Sequence, residues 1–211
     1  MRFYFARHGE SEANVLRVIS NRGLVHGLTE TGRRQAQTLA ETLRGAEISA
    51  IYSSPLLRAA QTAEILAQSL ELRFETTGAL REPDCGAAEG RSDPAAWQLH
   101  SNLWADWWVR LNWDARIAGG ESFNDVQQRF LPFLAGLLRE NPDSQQNWVL
   151  IGHGMLYICM LPLLLTNISR QFAGGLGFPN TAYVLAESGP TGLTCLEWCG
   201  VTLPGSNPGS K

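Results

Sequence analysis

The chain has 211 residues, 44% of them hydrophobic, which is enough for one sizeable core and predicts a single domain at about 1–200. Its formal net charge of −3 at pH 7 argues against a nucleic-acid-binding surface. Lys211 is the only lysine, so arginine carries almost all of the positive charge. Arginine suits bidentate recognition of phosphate or carboxylate. For the arginines taken together, however, a genomic base-composition bias is the preferred explanation of this preference for arginine over lysine.

Five apolar segments have the composition of strands buried on both faces of a sheet. They lie at Arg2–Ala6, Ala50–Ser53, Asn147–Ile151, Ala182–Ala186 and Leu193–Trp198. Between them, apolar residues repeat with helical spacing at 36–43, 56–70 and 123–137, and Pro132 is expected to kink or break the third helix. The alternation predicts an α/β fold, a three-layer α/β/α sandwich with a mostly parallel sheet, and the short turn at 188–190 predicts an antiparallel edge.

The segment at about 91–120 interrupts this alternation and is predicted to form a helical flap over one end of the sheet. It contains five of the seven tryptophans, Trp97, Trp104, Trp107, Trp108 and Trp113. Two interpretations of this stripe stay open: it lines a binding site, or it anchors the flap to the core or to a second copy of the chain in a homodimer. Beyond the last strand, Gly, Pro and Ser predict a disordered tail at 201–211.

No basic and apolar leader precedes the first strand, so a cytoplasmic location without a membrane anchor is expected. The apolar run Met155–Leu165 is shorter than the ~20 residues of a membrane span and contains a proline, which is typical of a buried helix. The four cysteines show no C-x-x-C spacing and are expected to be reduced thiols.

Polar residues follow three of the predicted strands where each ends. Arg7 and His8 follow the first, and His153 follows the strand in "VLIGHGM". The second strand runs into "YSSPLLRAAQTA", where Ser54 is expected to cap a helix, Pro55 to be its first residue and Arg58 to project from its first turn. Ligands of open α/β sheets bind beyond the carboxyl ends of the strands, so these side chains are predicted to meet there.

Two arginines and two histidines around one point suit a phosphoryl group, because arginine binds its oxygens in pairs and a helix N-terminus favours an anion. A metal site is not expected, since the other histidines, His26 and His100, lie in unrelated segments without a metal-binding spacing. The alternative for either histidine alone is a buried structural role, which explains two glycine-flanked histidines at two strand exits poorly.

At these residues the sequence resembles the histidine phosphatase superfamily, the phosphoglycerate mutase-like proteins, from Met1 to about Trp198. The resemblance lies in five blocks in order: Arg7-His8-Gly9-Glu10-Ser11, Ser53-Ser54-Pro55 with Arg58 and Thr62, "LREPDCGAAEG" at 80–90, Gly119-Gly120-Glu121-Ser122, and Gly152-His153-Gly154. It implies that His8 is the nucleophile of a phosphohistidine pathway, that Arg7, Arg58 and His153 hold the phosphoryl group, and that no cofactor is needed.

The resemblance further implies that Glu82 is the general acid, with Glu89 structural. The substrate contacts that it implies are Asn14, Ser20, Gly154 and, more weakly, Asn21. Glu10 and Ser11 are expected to brace the loop.

The superfamily contains both hydrolases and mutases. The flap lacks the paired arginines that mutases carry after the acid block, and Cys85 stands where they have a tyrosine, so a metal-independent phosphomonoesterase acting on a small phosphorylated metabolite is predicted. A bisphosphoglycerate-dependent phosphoglycerate mutase is the main alternative, and a catalytically silent binding domain is the third. In a phosphomonoesterase, the flap tryptophans would bind a bulky or partly apolar leaving group, unless they only anchor the flap.

Overall fold

The structure, a computed structural model, describes residues 1–140 and 146–203. Its centre is a seven-stranded sheet with the order β3-β2-β4-β1-β5-β6-β7. The strands are β1 (Arg2–Arg7), β2 (Ile48–Ser53), β3 (Phe74–Thr76), β4 (Asn147–Gly152), β5 (Tyr183–Gly189), β6 (Gly192–Trp198) and β7 (Val201–Thr202). The first four in the order run parallel, and β5, β6 and β7 extend the sheet in antiparallel pairs.

Residues 1–140 and 146–203 contain seven α-helices. They are α1 (Glu12–Leu16), α2 (Glu30–Leu43), α3 (Leu57–Leu70), α4 (Pro94–Trp108), α5 (Phe123–Glu140), α6 (Gly154–Met160) and α7 (Arg170–Leu176). Single 3₁₀ turns at Gly78–Leu80, Gly86–Ala88 and Leu161–Leu163 complete the described connections.

Each face of the sheet has its own hydrophobic core. Ala36, Leu39 and Leu43 of α2 pack with Ala59 and Leu66 of α3 over one face. The other face is larger and is covered by apolar residues of α4, α5, α6 and α7, among them Trp107, Phe130 and Leu156. Because strands β1 and β4 lie between these layers, their side chains are buried on both sides. The predicted three-layer α/β/α sandwich with an antiparallel edge is confirmed.

The loop after β1 lies tightly against the start of α2. A Cβ on Gly32 would collide with the backbone carbonyl oxygen of Glu10, and one on Gly9 would collide with the carbonyl oxygen of Gly32. These two glycines therefore allow the backbone that follows His8 to pass close to the helix.

Gly32→Ala is expected to destabilise the fold by about 1–3 kcal/mol, because the added methyl group must displace backbone next to His8. Gly45→Ala is the matched control, since nothing lies within 4 Å of its added Cβ. Thermal unfolding of the two variants checks this, and equal melting temperatures would contradict the packing described here.

Three details of the sequence analysis need correction. Helix α3 begins at Leu57 and its N-cap is Leu56 without a side-chain hydrogen bond, so Ser54 is not its cap and Pro55 is not its first residue. Ser54 instead accepts a hydrogen bond from the Leu56 amide and bonds His153, which holds the intervening residues in a turn. Helix α5 runs without a break through Pro132, so the predicted break is wrong, while a kink at this residue stays a prediction.

The third detail is the start of the tail. Val201 and Thr202 form β7, because the Cys199–Gly200 turn, with positive φ at both residues, returns the chain against β6. The rest of the predicted tail, 204–211, lies outside the described residues. All four cysteines are free thiols. Within 1–140 and 146–203, no helix is both long and apolar enough to cross a bilayer.

Candidate active site

The carboxyl ends of β1, β2 and β4 meet at one edge of the sheet, because β4 pairs in parallel with both neighbours. Arg7 ends β1 with His8 directly after it, and His153 follows β4. The two imidazole centroids lie 5.0 Å apart. Arg58 enters from the first turn of α3, which follows β2. The predicted meeting of these four side chains is what the structure has.

Hydrogen bonds fix the tautomer of His8. Its Nδ1 lies 2.6 Å from the carbonyl oxygen of Gly9, which can only accept, so Nδ1 carries the proton. Its Nε2 accepts from Arg58 Nε at 3.0 Å and therefore keeps its lone pair. His8 is 2% exposed, and burial, then Arg58 and Arg7, hold its pKa well below the ordinary value. A neutral imidazole with an unprotonated Nε2 is the form that a nucleophile needs once Arg58 releases its hydrogen bond to that atom.

Arg58 is the centre of the polar cluster. Besides His8, its guanidinium donates to the carbonyl oxygen of Ser20 at 2.6 Å, to Asn21 Oδ1 at 3.4 Å and to His153 Nδ1 at 3.4 Å. Burial lowers its pKa to about 10, which leaves it charged at neutral pH. The charge thus sits beside the Nε2 atom at which a phosphoryl group would be received.

Arg7 provides a second buried cation. Its Nη1 donates to the carbonyl oxygen of Phe178 at 2.6 Å, while its Nε is buried without a hydrogen-bond partner among the described residues. A buried N–H donor without a partner costs free energy unless a ligand satisfies it. An anion bound between Arg7 and Arg58 would satisfy this donor.

His153 is held from the opposite side. Its Nε2 bonds Ser54 Oγ at 2.9 Å, and since Arg58 donates to its Nδ1, the proton lies on Nε2. Burial, followed by Arg58 and His8, places its pKa well below the ordinary range. His153 is thus neutral and lies next to His8, but it is 1% exposed and does not line the cavity that His8 lines.

Glu82 lies on the segment between the first two 3₁₀ turns and points at the start of α6. Its carboxyl oxygens accept from the backbone amides of Met155 and Leu156 at 3.1 and 3.0 Å. These bonds and the two arginines lower its pKa, but burial outweighs them and raises it. A raised pKa suits a carboxyl group that must carry a proton near neutral pH.

The expected substrate contacts all line one cavity of about 220 Å³, together with Arg7, His8, Arg58 and Glu82. Asn14 and Gly154 stand on its wall. The Ser20 hydroxyl forms a hydrogen bond with His26. The side chain of Asn21 accepts from Arg58 and donates to the carbonyl oxygen of Pro83 and to Cys85 Sγ, in the segment that follows Glu82. Asn21 is therefore engaged with protein partners.

The bracing residues are also accounted for. Ser11 and Asn14 form a capping box at α1, and Glu10 accepts from Thr29. Glu89 accepts from the Asn21 and Cys85 amides, which is the structural position expected of it.

Sequence reasoning missed several residues at the site. His100 of the flap helix lines the cavity, although the sequence analysis treated it only as a histidine in an unrelated segment. Trp97 lines the cavity too, in agreement with the first interpretation of the tryptophan stripe. Asn180 donates to the carbonyl oxygen of His8, and the carbonyl oxygen of Phe178 accepts from Arg7. Both residues lie in a loop more than 170 residues away from their partners in sequence. Their only sequence signal is their place just before the fourth predicted strand, Ala182–Ala186, which corresponds to β5 and pairs with β1.

No group of three or more His, Cys, Asp and Glu side chains among residues 1–140 and 146–203 could hold a metal ion. The positive charge at the site comes from Arg7 and Arg58.

The buried histidines predict an acid-sensitive fold. The folded state keeps His8 and His153 neutral through their lowered pKa values, whereas the unfolded chain binds protons at an ordinary pKa of about 6.5. Their contribution to stability is therefore present above pH ~6.5 and is lost as the pH falls below it. Glu82, with a raised pKa, acts in the opposite direction, because its contribution is lost as the pH rises.

Denaturant unfolding at pH 7.5 and 5.5 tests this sign. The wild type is expected to lose free energy of unfolding on acidification by roughly 1 kcal/mol for each histidine, reduced by the Glu82 contribution. The His8→Gln, His153→Gln double variant is expected to lose less, and an equal loss in both proteins would contradict the assignment.

Comparison with known proteins agrees with this geometry. The profile of the histidine phosphatase superfamily (branch 1) matches residues 3–200. A probable phosphoglycerate mutase, GpmB, of Proteus mirabilis is 36% identical over 165 residues, which are 78% of this chain and 75% of that protein.

Solved structures share the fold over nearly the whole chain. A mycobacterial glucosyl-3-phosphoglycerate phosphatase has a TM-score of 0.77 at 28% identity, covering 94% of this chain and 98% of its own. The α-ribazole phosphatase of Shigella flexneri has a TM-score of 0.78 at 23% identity, covering 98% and 100%, and this likeness concerns the fold alone. From its first strand to its last long strand, over residues 3–200, the chain belongs to the histidine phosphatase superfamily, branch 1.

Proposed function

We propose that the protein is a metal-independent phosphomonoesterase that acts on a small phosphorylated metabolite through a phosphohistidine intermediate. The observation that carries the proposal is the state of His8: a buried, neutral imidazole on the cavity wall with an unprotonated Nε2, which accepts from Arg58, while Arg7 and Arg58 line the same cavity. The similarity to a mycobacterial glucosyl-3-phosphoglycerate phosphatase supports the hydrolase assignment. Four unpaired thiols support a reducing, cytoplasmic setting.

The first step forms a bond between His8 Nε2 and phosphorus and breaks the bond from phosphorus to the ester oxygen. Glu82 gives its proton to the departing alkoxide, which leaves as an alcohol. Arg7 and Arg58 stabilise the charge on the equatorial oxygens. Arg58 must first release its hydrogen bond to Nε2, and the phosphoryl oxygens offer its guanidinium replacement acceptors.

The second step returns the enzyme to its starting state. The Glu82 carboxylate takes a proton from water, whose oxygen attacks phosphorus as the bond to His8 breaks, and inorganic phosphate leaves. The backbone amides of Met155 and Leu156 hold the carboxylate in place during both transfers.

A mutase is the second candidate, favoured by the name of the 36% identical relative. A mutase must hold a second phosphate, which requires further cations on the cavity wall. The flap arginines are engaged elsewhere, since Arg91, Arg110 and Arg116 pair with Asp93, Asp106 and Asp125 at 2.6–2.8 Å. Among the described residues, Arg7 and Arg58 are the arginines that line the cavity. This distribution of charge supports hydrolysis over isomerisation.

The deciding experiment measures inorganic phosphate released from a panel of phosphomonoesters in the presence of a chelator. In parallel, 3-phosphoglycerate is assayed for conversion to 2-phosphoglycerate with a bisphosphate primer. Hydrolysis with negligible isomerisation is expected. Efficient primer-dependent isomerisation would identify a mutase, and inactivity in both assays would favour a silent binding domain.

Glu82→Gln is expected to slow hydrolysis of alkyl phosphates by about 10²–10⁴-fold, because the alkoxide then leaves without a proton. A phenyl ester with a nitro group needs little protonation, so its hydrolysis should fall much less. Comparing kcat for both ester types measures this difference, and equal losses would remove Glu82 from the acid role.

A further inference from the structure

The flap helix α4 presents two different faces. Ala96, Leu103 and Trp107 are buried in the core and anchor the helix. Trp97, His100 and Trp104 recur at i, i+3 and i+7, so they share the neighbouring face. Trp97 and His100 line the cavity that contains His8 and Glu82. The flap tryptophans therefore divide: Trp107 is an anchor, and Trp97 and Trp104 belong to the face that lines cavities.

His100 stands at the junction of two cavities. The second, of about 210 Å³, adjoins the first through shared walls at Arg7, Glu82 and His100, and continues to Trp104 and Phe178. A leaving group that departs from the phosphoryl site next to Glu82 would extend along this second cavity. His100 is the flap residue that borders both spaces.

The imidazole of His100 makes no hydrogen bond to any residue that the structure describes. It makes an edge contact with the Trp97 ring, with 5.4 Å between the ring centroids. The indole of Trp97 is held in turn by its Nε1, which donates to the carbonyl oxygen of Arg17 at 2.9 Å. Burial lowers the pKa of His100, so the ring enters the cavity neutral. A neutral imidazole offers one donor and one acceptor.

We propose that His100, between Trp97 and Trp104, recognises the leaving group, and that the substrates are phosphomonoesters of polyhydroxylated alcohols, that is, sugar or polyol phosphates. The inference rests on the proposed hydrolase function. A hydroxyl group can both donate and accept, so it matches a neutral imidazole in either tautomer. The C–H faces of such a chain or ring pack on the flanking indoles.

Other leaving groups fit these residues less well. An unsubstituted alkyl chain would cover His100 without satisfying its donor or acceptor, which costs free energy. A second anionic group would find Arg7 as the cation that lines both cavities, and Arg7 is already assigned to the phosphoryl group; no flap arginine lines either space in the described parts of the chain. A hydroxylated leaving group satisfies the imidazole without adding charge.

A matched pair of esters tests the assignment: glucitol 6-phosphate and n-hexyl phosphate have the same carbon chain with and without hydroxyl groups. The wild type is expected to have the higher kcat/KM on glucitol 6-phosphate. His100→Phe keeps the ring contact with Trp97 but removes the hydrogen bonds, and it should reduce this preference by about tenfold or more. His100→Asn, which has a donor and an acceptor, should restore part of it. Leu99→Ala, a change at the adjacent, partly exposed residue of α4, is the control and should leave the preference unchanged.

Hydrolysis of both esters with no hydroxyl preference in the wild type would overturn this inference and leave the phosphatase function standing. Equal losses on both esters in His100→Phe would also overturn it, because they indicate a merely structural role. If the wild type hydrolysed no phosphomonoester at all, the proposed function would fail and this inference with it.

Discussion

Replacing His8 by alanine is expected to abolish phosphate release, with a loss of at least about 10³-fold in kcat, because the group that is proposed to take the phosphoryl group is then absent. His153 lies near it, with 5.0 Å between the ring centroids, but it does not line the cavity and its Nε2 carries the proton that is directed at Ser54. The variant is expected to fold, because residues 3–6 of the strand before His8 are buried and their packing does not depend on the imidazole.

The control for this variant is His26→Ala, which removes an imidazole from the Ser20 hydroxyl without touching the nucleophile. Phosphate release and thermal unfolding are measured for both proteins. Turnover in folded His8→Ala within tenfold of the wild type would mean that water attacks phosphorus directly and that the covalent pathway is wrong.

Arg58→Ala is expected to reduce kcat/KM by about 10²–10³-fold, the range seen when a preorganised donor is removed from a developing anion. The loss has two sources. The phosphoryl group loses a buried cation, and His8, His153, Ser20 and Asn21 lose the donor that connects them.

Arg58→Lys separates these two sources. Lysine keeps the charge but cannot reach several acceptors in one plane, so it should recover only a small part of the activity. Arg44→Ala, which removes an exposed arginine at the end of α2, should match the wild type in the same assay. Full recovery by lysine would show that charge alone, and not the guanidinium geometry, is required.

Much of the site could be predicted because its polar side chains lie directly after the ends of apolar strands. His8 and His153 each follow a strongly apolar strand, and the parallel pairing of such strands brings their exits together. The layers were predictable for the same reason, since strands buried on both faces require helices on both faces. Arg58 was predictable from the turn after β2, even though the helix starts later than expected.

Other features had no local signal. Strand β3 has three residues, none of them buried, and exists only because it pairs with the edge of β2. Ser54 has the pattern of a helix cap, but its hydroxyl is used by a histidine 99 positions away. The role of each flap tryptophan depends on which face of α4 meets the core, and the tryptophans at 104, 107 and 108 lie within five consecutive residues, so the residue type alone does not separate them. Homodimer formation and the absence of nucleic-acid partners stay predictions.

The central claim is a covalent phosphoryl group on His8, and peptide mapping tests it most directly. The enzyme is mixed with a phosphomonoester in chelator, quenched in alkali, where phosphohistidine is stable and acid cleavage is avoided, and digested for mass spectrometry. We expect the phosphoryl group on the peptide that contains His8, and we expect it to be absent from His8→Ala. A turnover-competent wild type that carries no phosphoryl group, or carries it on another residue, would contradict the account.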